Sequence, residues 1–316
     1  MPPTAPLVAR DLRKRYGDTH ALDGFDLEVA AGTVHGLLGP NGAGKSTAVR
    51  SLATLTRYDS GEASVAGHDV GRNPRAVRRA VGLVGQAAAV DEVLHGRDNL
   101  VLFARLHGLF APAARARADE LLERFGLTEA ATKPVSTYSG GMRRRLDIAA
   151  GLVLRPSVLF LDEPTTGLDP RGRNEVWEMV RGVVALGTTV LLTTQYLDEA
   201  DQLADRITVM GAGRVIAEGT STELKSRLGG DRVIVRLAAD ADSGAAREAL
   251  GGEYDAATRH LAIEAGAAGG SAALVHAVRT LDGAGVAFDD VLLRRPTLNE
   301  VFLHLTSNPA PEGAAR

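Results

Sequence analysis

Gly39-Pro40-Asn41-Gly42-Ala43-Gly44-Lys45-Ser46-Thr47 decides how the rest of the chain is read. The stretch fits G-x-x-x-x-G-K-[S/T]. It follows Val34 to Leu38, a short apolar run read as a buried strand, and it opens Lys45 to Leu55, whose spacing is helical. Strand, glycine-rich turn and helix together give the pattern its meaning. The glycines let backbone N–H groups converge on phosphate oxygens without side-chain clash, and the helix N-terminus adds its dipole. Lys45 supplies a compact charge for the β- and γ-phosphates, and Ser46 offers a hydroxyl to Mg²⁺. Of 36 basic residues only Lys14, Lys45, Lys133 and Lys225 are lysine, which singles out each of them.

Further along, Val158-Leu159-Phe160-Leu161-Asp162-Glu163 is an apolar strand delivering two adjacent acids at its C-terminal end. Ligands sit at that end of the strands in open α/β sheets. Asp162 is read as the acid that holds Mg²⁺, and Glu163 as the one that polarises an attacking water.

The rest of the 316-residue chain fits this frame. Its length suggests two domains. With 45% hydrophobic and 24% charged residues it can bury a sizeable core. It has no cysteine, which excludes disulfides, Cys-zinc sites and cysteine nucleophiles. A net charge of −3 argues against nucleic acid as a partner. No apolar run is long enough to span a bilayer, and Met1 to Arg10 lacks the apolar core of a signal peptide. The basic clusters Arg72 to Arg79 and Arg143 to Arg145 read as solvated helix faces. The histidines show no zinc-ligand spacing, so no structural metal is expected.

Leu7 to Tyr16, Phe25 to Val29, Val81 to Val84 and Thr189 to Thr193 read as further strands. Asn99 to Gly151 is mostly helical, Asn174 to Val184 and Leu197 to Ala204 are helices, and Ile207 to Met210 with Val215 to Ala217 form a closing hairpin. Strands alternating with helices predict a mainly parallel α/β sheet, interrupted by a helical insertion at about residues 90–155. Thr220 with Glu223 caps a helix ending near Leu228, and Gly229-Gly230 marks a boundary. Residues 231–306 then read as a small α+β domain, with strands around Val233 to Leu237, Leu261 to Ile263 and Phe288 to Leu293. Leu274, Val278 and Leu281 share one helical face, and Thr297 with Glu300 caps a last helix. Residues 307–316 are expected to form a flexible tail.

Ser139-Gly140-Gly141-Met142 precedes the acid pair and opens a predicted helix. Ser139 can cap that helix, while the two glycines expose N–H donors to an anion. With the phosphate loop and the acid pair, this segment resembles the ATPase subunits of ATP-binding cassette (ABC) transporters over about residues 7–228. The resemblance implies a P-loop NTPase cassette with a helical subdomain, ATP and Mg²⁺ as ligands, and a homodimer sandwiching ATP. Gly39, Pro40, Asn41, Gly42, Ala43, Gly44, Lys45, Ser46 and Thr47 would cradle the phosphates, while Ser139, Gly140 and Gly141 reach the nucleotide of the other subunit. Tyr16 falls where the family stacks an aromatic ring on adenine. Gln86, ending a strand, matches the glutamine that links Mg²⁺ and water to the membrane interface, and Asp169 matches the loop that touches the opposite subunit. Gln195 takes the switch position where the family usually has histidine; it can donate a hydrogen bond to the γ-phosphate but cannot carry a charge. Tyr138 and Met142 also depart from the family's usual Leu-Ser-Gly-Gly-Gln.

Gln195, Thr165-Thr166-Gly167-Leu168-Asp169-Pro170-Arg171 and Pro296-Thr297-Leu298-Asn299-Glu300-Val301-Phe302-Leu303-His304-Leu305-Thr306 narrow the resemblance to the daunorubicin/doxorubicin-resistance type. Such subunits energise antibiotic export through a separate integral membrane protein, so the transported small molecule is handled indirectly. That resemblance implies a peripheral protein on the cytoplasmic face of the cell membrane. Leu100, Phe103, Ala104 and His107 have helical spacing after Gln86, where the family receives a cytoplasmic helix of the membrane subunit; a core-facing stripe explains the spacing equally well. The rival readings are a cassette ATPase acting on ribosomes or DNA, and a nucleotide-dependent regulator with low turnover.

Overall fold

A computed structural model describes residues 5–226, 231–266, 269–294 and 297–307. Two compact units divide the chain, Met1–Thr220 and Ser221–Arg316. The expected helix end near Leu228, the Gly229-Gly230 boundary and residues 308–316 of the expected tail lie outside the described residues, while Ser307 is the last residue of a helix.

The first unit is built on a six-stranded sheet. Its strands are β3 (Val34–Leu38), β6 (Val81–Val84), β7 (Val158–Asp162), β8 (Thr189–Thr194), β9 (Arg206–Gly211) and β10 (Arg214–Gly219), in the order β10-β9-β3-β8-β7-β6. All neighbours are parallel except β9 and β10, which form the expected hairpin. β3, β7 and β8 are buried along their whole length, as strands covered on both faces must be. Alternate side chains of β7 serve two different cores. Leu159 and Leu161 join Leu100, Leu121 and Leu146 of the helical insertion, whereas Val158 and Phe160 join Leu7, Phe25 and Val49. Each fully buried side chain of this size contributes roughly 2 kcal/mol.

The second of these cores has a cover that the sequence reading did not contain. β1 (Leu7–Tyr16) and β2 (Thr19–Val29) do not enter the parallel sheet. They pair antiparallel with each other, and β1 also pairs with β4 (Ser60–Val65), which pairs in turn with β5 (His68–Asp69). Helix α1 (Lys45–Leu52) lies in this core, and α2 (Pro74–Ala80) precedes β6. α1 ends at Leu52 rather than Leu55, because Thr54 adopts a left-handed backbone at φ 65°. The insertion comprises α3 (Gly96–Leu106), α4 (Ala111–Arg124) and α5 (Gly140–Gly151), mutually packed. After β7 comes α6 (Pro170–Val184); it begins four residues before the expected Asn174 because Asp169 caps it and Pro170 takes the first turn. α7 (Leu197–Leu203) follows β8.

The second unit opens with α8 (Ser221–Ser226) and closes with α11 (Leu298–Ser307), which contact each other. Between them run β11 (Arg232–Leu237), α9 (Ser243–Leu250), β12 (Glu253–Asp255), β13 (His260–Glu264), α10 (Gly270–Gly283) and β14 (Phe288–Arg294). The sheet order β12-β13-β11-β14, antiparallel throughout, is the βαββαβ arrangement of ferredoxin-like domains. Val233, Val235 and Leu237 of β11 share its core with Ala246, Ala277 and Leu281 of the two helices. The capping box before α11 is formed: Thr297 N–H donates to Glu300 Oε2 at 2.9 Å, and Glu300 N–H donates to Thr297 Oγ1 at 3.3 Å. Among the described residues no helix is long and apolar enough to cross a membrane.

Candidate functional site

The order β3-β8-β7 brings three strand ends together, and each carries residues singled out in the sequence. From β3 the chain passes through Gly39 to Gly44 into α1. Gly44 caps that helix at φ 104°, where a Cβ would stand 2.3 Å from the Ala21 carbonyl oxygen, so only glycine fits. Pro40, Asn41 and Gly42 are exposed, Ala43 and Lys45 are buried, and Ser46 and Thr47 are half-buried. Lys45 folds back over its own loop. Its Nζ donates to the carbonyls of Gly39 at 2.8 Å and Pro40 at 3.1 Å, and stands 3.6 Å from Glu163 Oε1. Burial lowers the Lys45 pKa, and the neighbouring Glu163 carboxylate opposes that shift.

Asp162 ends β7 and is buried. Its Oδ1 accepts from Ser46 Oγ at 3.1 Å and from Thr193 Oγ1 at 2.5 Å. A hydroxyl beside a carboxylate, both hard oxygen donors, fits Mg²⁺, which takes few protein ligands and keeps water and phosphate oxygens for the rest. No cluster of three or more acidic, His or Cys side chains able to cage a metal occurs among the described residues. Glu163 follows with a left-handed backbone, φ 49°. For a non-glycine residue this conformation costs roughly 1–2 kcal/mol. It is held by β8, since Glu163 N–H donates to the Thr193 carbonyl and to Thr193 Oγ1, both at 3.1 Å. Thr166 Oγ1 donates to Glu163 Oε2 at 3.3 Å.

Lys45, Ser46, Asp162 and Glu163 are thus one constellation. Tyr16, at the end of β1, is 50% exposed, with Lys14 Nζ 5.3 Å from its ring centre. Gln195 follows β8 and is half-buried. Gln86 does not end a strand: β6 stops at Val84, and Gln86 is exposed on a bend two residues later. Ser139 caps α5, its Oγ accepting from Met142 N–H at 3.2 Å, and with Gly140 it is exposed. Asp169 caps α6 through Gly172 N–H at 2.8 Å. Tyr138 is a buried anchor rather than part of the exposed segment. Its hydroxyl donates to the Ala130 carbonyl at 2.6 Å, and a Cβ on Gly96 would lie 2.1 Å from that oxygen.

The reading of Arg143 to Arg145 as a solvated face is wrong. Arg144 is buried, Arg143 is half-buried and ion-paired with Glu92 at 2.8 Å, and Arg145 is half-buried with Glu175 at 3.7 Å. Arg72, Arg75, Arg78 and Arg79 are exposed, as expected. Arg144 pairs with buried Asp147 at 3.2 Å; burial lowers the pKa of the arginine and raises that of the aspartate. A charge pair at i and i+3 amid Leu146, Ile148, Ala149 and Ala150 was the available signal. A second missed group is Glu199 on α7. Its Oε1 accepts from Thr165 Oγ1 at 2.8 Å and from the indole of Trp177 at 3.2 Å, and burial raises its pKa.

The family model described as ABC transporter matches residues 22–166. The daunorubicin resistance ATP-binding protein DrrA3 of Streptomyces coeruleorubidus is 62% identical over 297 residues, covering 93% of this chain and 94% of that protein. The daunorubicin/doxorubicin resistance ATP-binding protein DrrA of Streptomyces peucetius is 52% identical over 316 residues, covering 98% and 95%. Among solved structures, cbiO1 of Clostridium perfringens, part of the ABC transporter complex cbiONQ, superposes with a TM-score of 0.65 at 31% identity, over 70% of this chain and 90% of that one.

Proposed function

The chain belongs to the ATP-binding subunits of ABC transporters, ATPases that drive transport, and from that premise we propose that it hydrolyses Mg·ATP in a homodimer to energise export of a drug-like or lipid-like amphipathic molecule through a separate membrane protein. The observation that carries the hydrolytic reading is the approach of Lys45 Nζ to Glu163 Oε1, 3.6 Å, beside the Ser46–Asp162 contact. On binding ATP, Lys45 exchanges the carbonyls of Gly39 and Pro40 for β- and γ-phosphate oxygens. The amides of Gly42 to Thr47 and the N-terminus of α1 take the remaining phosphate charge. Ser46 and Asp162, with Gln86, are the residues that would hold Mg²⁺, and the ion would supply positive charge against the phosphates. Glu163 accepts the hydrogen bond of the attacking water and directs it. Gln195 donates to the γ-phosphate as a neutral group, and Tyr16 offers an exposed ring to adenine. Ser139, Gly140 and Gly141 complete the site of a second copy, with Asp169 at the same junction. Preorganised charge carries most of the rate.

Export through a membrane partner is supported by the names of the relatives, two of which are daunorubicin-resistance proteins. It is also supported by a groove lined by Leu55, Leu83, Ala89, Phe103, His107 and Leu154, next to the Gln86 bend. Of the four residues whose spacing suggested such a surface, Phe103 and His107 line the groove, whereas Leu100 and Ala104 are buried in the core. We infer that a short amphipathic helix of the partner docks there, which would hold the chain on the cytoplasmic face of the membrane. The test has two parts. Glu163→Gln is expected to dimerise with Mg·ATP by light scattering and to lose that dimer with Ser139→Arg; a persistent monomer refutes the sandwich. Cells making the chain together with its multi-span membrane partner should accumulate less daunorubicin, and Glu163→Gln should abolish the effect. Equal accumulation with and without the active chain removes daunorubicin as the exported molecule.

A further inference from the structure

The guanidinium of Arg144 joins α5 to two other stretches of the first unit. Nε donates to the Pro164 carbonyl at 2.7 Å and Nη1 to the Gly85 carbonyl at 2.7 Å, while Nη2 lies 3.5 Å from the Asp162 carbonyl oxygen. Nη1 also pairs with Asp147 Oδ2 at 3.2 Å, and Asp147 Oδ1 accepts the Ala89 N–H at 2.9 Å. The acceptors are not scattered. Asp162 and Pro164 stand on either side of Glu163. Gly85 and Ala89 stand on either side of Gln86. Arg144 and Asp147 are 7% and 3% exposed, so the clamp works out of water.

A buried ion pair of this kind is weak evidence for stability, since well-packed apolar residues often do as well. A planar guanidinium does offer what they cannot, a fixed fan of donors that spans several carbonyls at once. Arg144 lies five residues beyond the cap Ser139, about 7.5 Å along a helix. The capped N-terminus of α5 and the backbone on either side of Glu163 are therefore joined through one rigid piece.

We propose that the Arg144–Asp147 pair is a positioning device that brackets Glu163 and Gln86 and fixes both to α5, so that a chain's own hydrolytic carboxylate and the half-site it offers a second copy hold one geometry. The proposal rests on the hydrolytic dimer reading. It places the effect of the pair on turnover and on ATP-driven dimerisation, and leaves ATP binding by the phosphate loop alone.

The test uses the full chain and two variants. Arg144→Met with Asp147→Leu removes the pair without leaving an orphan charge. Arg144→Lys keeps the charge and the pairing but cannot span the carbonyls. Affinity is read with a fluorescent ATP analogue, kcat and KM with Mg·ATP, and dimerisation in the Glu163→Gln background. Both variants should keep analogue affinity within about threefold while kcat falls about 100-fold, the scale of a misplaced catalytic group. In the Glu163→Gln background each should need at least about tenfold more ATP to dimerise. A folded double variant with parental kcat overturns the positioning role, as does a loss of affinity as large as the loss of kcat. The parent separates the two levels: a parent with neither turnover nor an ATP-driven dimer overturns the hydrolytic reading, and the proposal with it.

Discussion

The two units bury different chemistry. In the first, Lys45, Arg117, Arg144, Asp147, Asp162, Glu163 and Glu199 lie inside together with several threonines, whereas among the described residues of the second every buried side chain is apolar. Ion pairs of the second unit such as Arg236–Asp289 at 3.7 Å, Arg259–Asp289 at 3.4 Å and Arg294–Glu300 are at its surface. An unpaired buried polar group costs about 1–3 kcal/mol, so a chain keeps such groups inside only where they are partnered. The first unit partners Lys45, Arg144, Asp147, Asp162 and Glu163 around the end of β7, whereas Arg117 donates to the Leu152 and Val153 carbonyls of the helical insertion and Glu199 keeps one buried oxygen, Oε2, without a partner. The second is a small ferredoxin-like unit held by ordinary apolar packing, and what it has to offer is surface.

The sharpest way to break this contrast is to remove one acid from each unit. Glu163→Gln should lower turnover about 1,000-fold, the scale of a lost general base, while ATP still binds. Asp289→Asn should leave turnover as it is. Steady-state ATPase rates with a parallel nucleotide-binding measurement check both; near-normal turnover in Glu163→Gln removes the assignment, and a large loss in Asp289→Asn dissolves the contrast.

A core truncation probes the reverse. Leu281 is fully buried in the second unit. Leu281→Ala should cost about 2–5 kcal/mol in the unfolding of that unit, from lost transfer energy and the cavity left behind. Affinity for an ATP analogue should not move. Denaturant unfolding followed beside nucleotide binding reads the two quantities, and a parallel loss of affinity means that the second unit shapes the nucleotide site.

The contrast also explains what was legible in the sequence. β3, β7 and β8 were visible because parallel strands covered on both faces read as unbroken apolar runs. Lys45, Ser46, Asp162 and Glu163 were visible because they stand in the phosphate-loop spacing and at the C-terminal end of an apolar strand. β4 was not visible: of Ser60–Val65 only Ala63 and Val65 are buried, and it is a strand because β1 pairs with it. α9 escaped for a similar reason, since its one buried residue is Ala246 and the stretch includes Gly244. β12 is a three-residue edge strand, too short to alternate. Arg144 was misread because net charge and arginine bias describe a surface, while the partners that make an arginine worth burying are backbone carbonyls far away in sequence.

Acidity offers a finer test. His35, on β3, is 1% exposed and bonded through Nε2 to Thr208 Oγ1 at 2.8 Å. Burial, helped by Arg206, pushes its pKa from 6.5 down to about 4. The folded value lies below the unfolded one, so below pH 6.5 the unfolded chain binds a proton that the folded chain refuses. Stability from this group is complete above pH 6.5 and falls as the pH drops to about 4, by at most about 3 kcal/mol. The buried carboxyls of Asp147 and Glu199, whose pKa values are raised, pull the other way. The clean quantity is therefore a difference: relative to the parent, His35→Gln should gain stability steadily between pH 6.5 and 4. Parallel stability curves for the two proteins would show that His35 titrates normally.

The smallest expected effect uses the same chemistry in both units. Ser139 caps α5 through Met142 N–H at 3.2 Å, and Asp242 caps α9 through Gly244 N–H at 2.8 Å and Ala245 N–H at 3.1 Å. Replacing either cap by alanine leaves a helix N–H without its side-chain acceptor and should cost about 1 kcal/mol of stability. If caps are only caps, the two variants behave alike. On the reading argued above they diverge, because the end of α5 has a second task. Asp242→Ala should show the stability loss and nothing else. Ser139→Ala should also raise the ATP needed to dimerise the Glu163→Gln chain, since its hydroxyl is one of the groups offered to the γ-phosphate of a second copy. Thermal unfolding of the two alanine variants without nucleotide sets the common cost. Light scattering across an ATP titration then isolates what remains, and an unchanged titration for Ser139→Ala would reduce that serine to the role Asp242 plays in the second unit.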